Sequence, residues 1–285
     1  MHFMTGMTQT TVRANGIRVN LWSGGHGPAL LLLHGYPQTA QMWRKVVPAL
    51  TARYTVVCPD LRGYGDSDKP RDGYDKRSMA LDMHETMAAL GHARYALVGH
   101  DRGARVAHRL AIDHPQAVTR VCVLDIVPTH TLFANTDRHL AAAYWHWFYF
   151  QAADLPEVMI SAAPEPFLRT MLRALSYKQD AIDEPMFQEY LRAFTLPGTI
   201  RATLEDYRAA AGRDFEDDAK APGKVTCPLL ALWGEFGKMH TMFDVLQTWR
   251  EKADRAEGRP LPCGHFIPEE APEALLEALL PWLAS

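Results

Sequence analysis

Asp101 lies between two glycines in the stretch Leu97–Arg105 (LVGHDRGAR), where an apolar run meets the start of a helical pattern. A G-x-D-x-G turn between strand and helix is the kind of sharp elbow that exposes a nucleophile. A hydroxyl there would need a base to strip its proton. A carboxylate is already anionic at neutral pH, so it can displace a leaving group from saturated carbon and form an alkyl ester. An Asp before a helix also serves as an ordinary N-cap. The partners found elsewhere in the chain favour the nucleophile.

His265, in PCGHF (262–266), follows the last strand pattern and precedes the final helical one, and is the expected base. Asp125 closes the apolar run VCVLD (121–125) and would orient that His, while Glu235, in WGE (233–235), competes for the same role. In a parallel sheet these strand ends share one edge with Asp101. The loop HGYP (34–37) also follows a strand pattern. Its Tyr36 N–H, with that of Arg102, would form an oxyanion hole. Arg102 and Arg105 lie three apart at the start of the elbow helix, on the face of Asp101. Two guanidiniums there would grip a small carboxylate in bidentate fashion and keep Asp101 ionised. The run YWHWFY (144–149) adds His146 and Trp147, N–H donors in an apolar wall, suited to a departing halide.

Behind these residues stands an ordinary globular composition. The 285 residues are 47% hydrophobic and 22% charged, with a net charge of −3, and nothing favours a nucleic-acid partner. Met1–Ala14 is polar and Thr-rich, without a basic start and apolar core, and no apolar run approaches the ~18 residues of a membrane span. A cytoplasmic protein is expected. Cys58, Cys122, Cys227 and Cys263 lack metal-ligand spacing and read as reduced small hydrophobes. No metal and no cofactor are expected.

Val12–Trp22 alternates around Asn15-Gly16 and predicts a hairpin. Short apolar runs at 29–33, 54–58, 95–98, 118–124 and 229–233 suit buried parallel strands, with a last strand at 259–261. Helical patterns at 78–90, 103–112 and 269–283 separate or follow them. The alternation predicts an α/β fold, a mostly parallel sheet with helices on both faces. It breaks between Pro128 and Pro222 in a long aromatic-rich helical stretch. The expected organisation is therefore a core of 1–127 and 223–285, with a helical cap of 128–222 inserted over the C-terminal edge of the sheet.

Taken together, HGYPQ (34–38), DLRGYGDSDKP (60–70), VGHDRGARVAHR (98–109), DIVPTH (125–130), YWHW (144–147), DYRAAA (206–211) and GHFIPEE (264–270) resemble haloacetate dehalogenases, in particular the fluoroacetate dehalogenases. That resemblance implies an α/β-hydrolase fold, with Asp101 as nucleophile, His265 as base and Asp125 as its acid partner. It assigns the substrate carboxylate to Arg102 and Arg105, and the halide pocket to His146, Trp147 and Tyr207. It further implies a 2-haloacid and water as the only reactants, and a homodimer. Tyr36 stands where many members carry Phe. An epoxide hydrolase uses the same Asp, His and acid with cap tyrosines, and is the second expectation. A neutral haloalkane dehalogenase ranks third, because that family typically places Trp after the nucleophile. A non-catalytic acid sensor on the same fold comes last.

Overall fold

The computed structural model describes residues 3–221 and 223–285. Among the described residues eight strands form one sheet: β1 (Thr8–Ala14), β2 (Ile17–Gly24), β3 (Ala29–Leu33), β4 (Thr55–Pro59), β5 (Tyr95–His100), β6 (Val118–Leu124), β7 (Leu229–Gly234) and β8 (Ala256–Leu261). Their spatial order is β1-β2-β4-β3-β5-β6-β7-β8. β1 and β2 are the expected hairpin, turning at Asn15-Gly16, and β2 joins β4 antiparallel. The other pairings are parallel. β3 and β5 are buried at every residue, as strands covered on both faces must be, which explains their unbroken apolar runs.

The core helices are α1 (Val47–Thr51), α2 (Lys76–Ala89) and α3 (Arg102–Asp113) before β6. Eight more run between β6 and β7: α4 (Thr129–Ala134), α5 (Arg138–Ala143), α6 (Trp145–Tyr149), α7 (Leu155–Ala162), α8 (Pro164–Leu175), α9 (Glu184–Phe194), α10 (Thr199–Ala211) and α11 (Arg213–Ala219). This insert is called the cap below; its expected boundary at Pro222 lies outside the described residues. α12 (Lys238–Met242) and α13 (Val245–Lys252) lie between β7 and β8. The final helix expected over 269–283 is interrupted. α14 (Ile267–Glu270) stops at Ala271, and α15 (Pro272–Ala284) restarts with Pro at its first position. Pro272 disfavours helical backbone at the residue before it, and a helix readily begins on a Pro.

β3, β5, β6, β7 and β8 all end at the same edge. His34, Asp101 and Asp125 come directly after the first three of these strands, and the His265 loop follows the last. Open parallel sheets bind ligands along that edge. The cap is tied across it by the Tyr190 hydroxyl, which accepts from Gln38 at 3.1 Å, and by the Tyr64 hydroxyl, which donates to Asp206 at 2.6 Å.

Candidate active site

The turn after β5 puts Asp101 at φ 47° and ψ −115°, in the left-handed region that L-residues avoid. Close packing enforces the bend: a Cβ on Gly103 would lie 2.3 Å from the carbonyl oxygen of His34. Asp101 occupies the N-cap position of α3, yet its side chain makes no capping bond. Its Oδ1 instead accepts from the Tyr36 backbone N–H at 3.2 Å. Burial works to raise this carboxyl, and the charges of His265, Arg102 and Arg105 outweigh it and hold it below its usual range.

Asp125 also has positive φ, at 53°. Its Oδ1 accepts from the Gly234 N–H at 2.9 Å, and its Oδ2 meets His265 Nδ1 at 2.6 Å. Of the two candidate acids it alone reaches the imidazole; Glu235 is exposed beyond the end of β7. The other ring nitrogen, Nε2, is 3.9 Å from Asp101 Oδ2. Burial disfavours the imidazolium, but the bond and charge of Asp125 prevail and raise the His265 pKa above its ordinary value. Acid, base and carboxylate thus form one line, converging from β5, β6 and the loop after β8.

The two arginines sit in different surroundings. Arg102 is fully buried, and Asp206 of α10 takes one edge of its guanidinium. Nε donates to Oδ2 at 3.1 Å and Nη2 to Oδ1 at 2.5 Å, while Nη2 also reaches the Asp206 carbonyl at 2.8 Å. Lys76 pairs with the same carboxylate. Only Nη1 of Arg102 lacks a partner. Arg105 is equally buried and has no carboxylate within ion-pair distance among the described residues. Its Nη1 donates to the Val127 carbonyl at 3.1 Å and to Thr129 Oγ1 at 2.9 Å, and its Nε and Nη2 have no partner. Burial, reinforced by the Arg102 charge, pushes its pKa down to about 10, so the cation persists at neutral pH.

Aromatic rings from the cap close over these cations. Arg102 stacks 4.5 Å from the Tyr207 ring and 5.1 Å from Trp147, and Arg105 lies 4.6 Å from Trp147. Tyr207 meets Trp147 edge-on at 5.3 Å and Tyr36 at 5.2 Å. His146 is buried 5.9 Å from Tyr207, and burial lowers its pKa to about 3, leaving a neutral imidazole. Asp206 carried no expected role, although it precedes Tyr207 in the DYR run; its partner Arg102 lies 104 positions away.

A family model for the alpha/beta hydrolase fold matches residues 28–272. The chain belongs to the alpha/beta hydrolase family. This hydrolase is 41% identical to a fluoroacetate dehalogenase from Burkholderia sp, over 98% of the chain and 94% of that relative. It is 36% identical to a soluble epoxide hydrolase from Corynebacterium sp. (strain C12), over 98% of each. A solved chain from Nostoc sp PCC 7120, described only as an alpha/beta hydrolase, superposes on this hydrolase with a TM-score of 0.96 at 49% identity, covering 99% of both. Fold and enzyme class follow from these likenesses.

Proposed function

We propose that this hydrolase removes halide from small 2-haloacids, converting a haloacetate, including fluoroacetate, to glycolate through an ester on Asp101. One observation carries the reading: Arg105 is a buried cation with, among the described residues, no carboxylate in ion-pair contact and two unpartnered donor atoms, close to the proposed nucleophile. A buried cation is stable only when paired, and the carboxylate of a haloacid supplies the pair. The Burkholderia relative's name points the same way.

In the first step Asp101 Oδ2 attacks the α-carbon in line, and the carbon–halogen bond breaks with its electron pair leaving on the halide. His146, Trp147 and Tyr207 would receive that anion as neutral N–H and O–H donors in a dry site, where one oriented donor is worth about 2.7–4 kcal/mol. In the second step a water between His265 and Asp101 gives a proton to Nε2, and its oxygen attacks Cγ of Asp101. The 3.9 Å separation of these groups is within the span one water bridges. The N–H groups of Tyr36 and Arg102 would hold the oxyanion. Its collapse breaks the bond to the glycolate oxygen, which takes the proton back from His265. The remaining proton is released as the Asp101 carboxylate re-forms.

The test is halide release from fluoroacetate, chloroacetate and bromoacetate, with bromoacetamide as an uncharged control. The wild type should release halide from the acids, and Asp101→Ala should abolish it. Arg105→Met should lower kcat/KM for bromoacetate by 10-fold or more, equivalent to about 1.4 kcal/mol, and leave bromoacetamide little changed. Equal loss on both substrates would remove Arg105 from carboxylate binding.

A second reading has its own support. The hydroxyls of Tyr144 and Tyr207 are buried in the cap within electrostatic reach of Asp101, as acids that protonate an epoxide oxygen would be. The Corynebacterium relative is named for that activity. Diol from styrene oxide, with no halide from any acid, would decide for it.

A further inference from the structure

Glu270 ends α14, five residues beyond His265, and is buried. Its carboxylate has no cation within ion-pair distance among the described residues. Four backbone N–H groups donate to it instead. Oε2 accepts from Gly264 at 3.0 Å, Tyr177 at 2.9 Å and Lys178 at 2.9 Å, and Oε1 accepts from Phe266 at 3.0 Å. Backbone donors to an ionised acceptor make strong, directional bonds.

The identity of the donors matters more than their number. Gly264 and Phe266 are the two neighbours of His265, while Tyr177 and Lys178 lie in the cap just beyond α8. The His265 N–H itself donates to Leu175 of that cap segment at 3.1 Å, and Lys178 Nζ returns to the Glu270 carbonyl at 2.7 Å. The contact is tight: a Cβ on Gly264 would lie 2.6 Å from the Tyr177 nitrogen. Glu270 therefore grips the peptide on both sides of the imidazole and fastens it to the cap.

We propose that Glu270 is a positioning residue for the base, setting His265 against the Asp101 ester and coupling that placement to cap residues 175–178. This inference rests on the ester intermediate of the preceding subsection and not on the identity of the substrate. In the proposed halide displacement His265 transfers no proton and forms no bond. Loss of its placement should therefore slow the second step and spare the first. A staple that serves stability alone would affect both steps alike.

Bromoacetate suits the test, because bromide leaves readily and ester hydrolysis then limits turnover. Pre-steady-state bromide release from Glu270→Gln should keep a burst near one per site at close to the wild-type rate. Its steady-state rate should fall by about 10–100-fold, the range for a catalytic group displaced by around an ångström. Intact-protein mass should show the ester accumulating. Glu270→Asp keeps the charge but shortens the reach and should share the defect, which separates placement from electrostatics. If Glu270→Gln does not fold, Gly264→Ala wedges the cap segment from the base loop with the carboxylate intact, and the same split is expected. A proportional fall in both steps, or no fall in either, overturns the proposal. If the wild type leaves bromoacetate untouched, the haloacid reading is what has failed. The split is then read on styrene oxide, as ester formation against diol release.

Discussion

At the scale of single residues, the site works by giving two histidines opposite proton affinities. His146 is held neutral by burial, with its pKa down to about 3, and His265 is raised by its bond to Asp125. The proposed ester hydrolysis would need a neutral His265. As pH falls through its raised pKa the ring gains a proton and the base is lost. The acid limb of kcat for bromoacetate should therefore have its midpoint above the ordinary imidazole value of about 6.5. Asp101 is held below its usual range, so the burst of bromide should persist at pH values where turnover has stopped. A kcat that stays flat well below about 6.5 would mean that another group acts as base. Asp101, His265 and Arg105 were marked as candidates from residue type and position, while Asp125 stood in competition with Glu235 until the structure placed it against the imidazole. Strand ends in a parallel sheet share an edge, so four local patterns sum to one place.

At the scale of elements, α10 and α11 fasten the cap to the core by charge. Asp206 of α10 takes Arg102 of α3 and Lys76 of α2, and the Lys76 N–H donates to Asp214 of α11 at 2.7 Å. Removing one partner from such a buried network leaves unpaired charge. Asp206→Asn should cost about 3–5 kcal/mol in denaturant unfolding. Replacing the ion pair with apolar groups, as in Asp206→Leu with Arg102→Met, should recover part of that loss. A cost under about 1 kcal/mol for Asp206→Asn would mean that water reaches the pair. None of these contacts was legible in the sequence, because each joins segments more than a hundred positions apart. Glu270 escaped notice differently. It lies in the GHFIPEE run (264–270), but its partners are backbone N–H groups, which carry no residue-type signal.

At the scale of the whole molecule, buried imidazoles govern acid stability. His34, His100, His108 and His146 are all lowered by burial, His100 to about 3 and His108 to about 4. Each binds its proton more readily in the unfolded chain, so stability falls as pH drops below about 6.5, by up to about 1.4 kcal/mol per pH unit per ring. His265 has the opposite sign: its contribution is present below about 6.5 and is lost as pH rises through its raised value. These rings, with the partly buried His114 shifted in the same sense, outweigh His265 and should give a steep fall in the urea midpoint between neutral and mildly acid pH. His108→Gln, one turn along α3 from Arg105, should flatten that slope by about one proton. An unchanged slope would show that His108 is protonated in the folded protein. The strands were readable because runs such as ALLLL (29–33) are buried throughout, while the broken final helix turned on a single Pro.

The φ of 47° at Asp101 sets stability against the proposed chemistry. Glycine adopts that conformation freely, whereas any side chain there carries strain of about 1–3 kcal/mol. Asp101→Gly should therefore be more stable than Asp101→Ala by at least about 1 kcal/mol in thermal unfolding, with both variants inactive. Stability alone would favour glycine over the proposed nucleophile at this position. On the proposed mechanism, the strained turn is stability given up to hold a carboxylate where glycine would fold more easily.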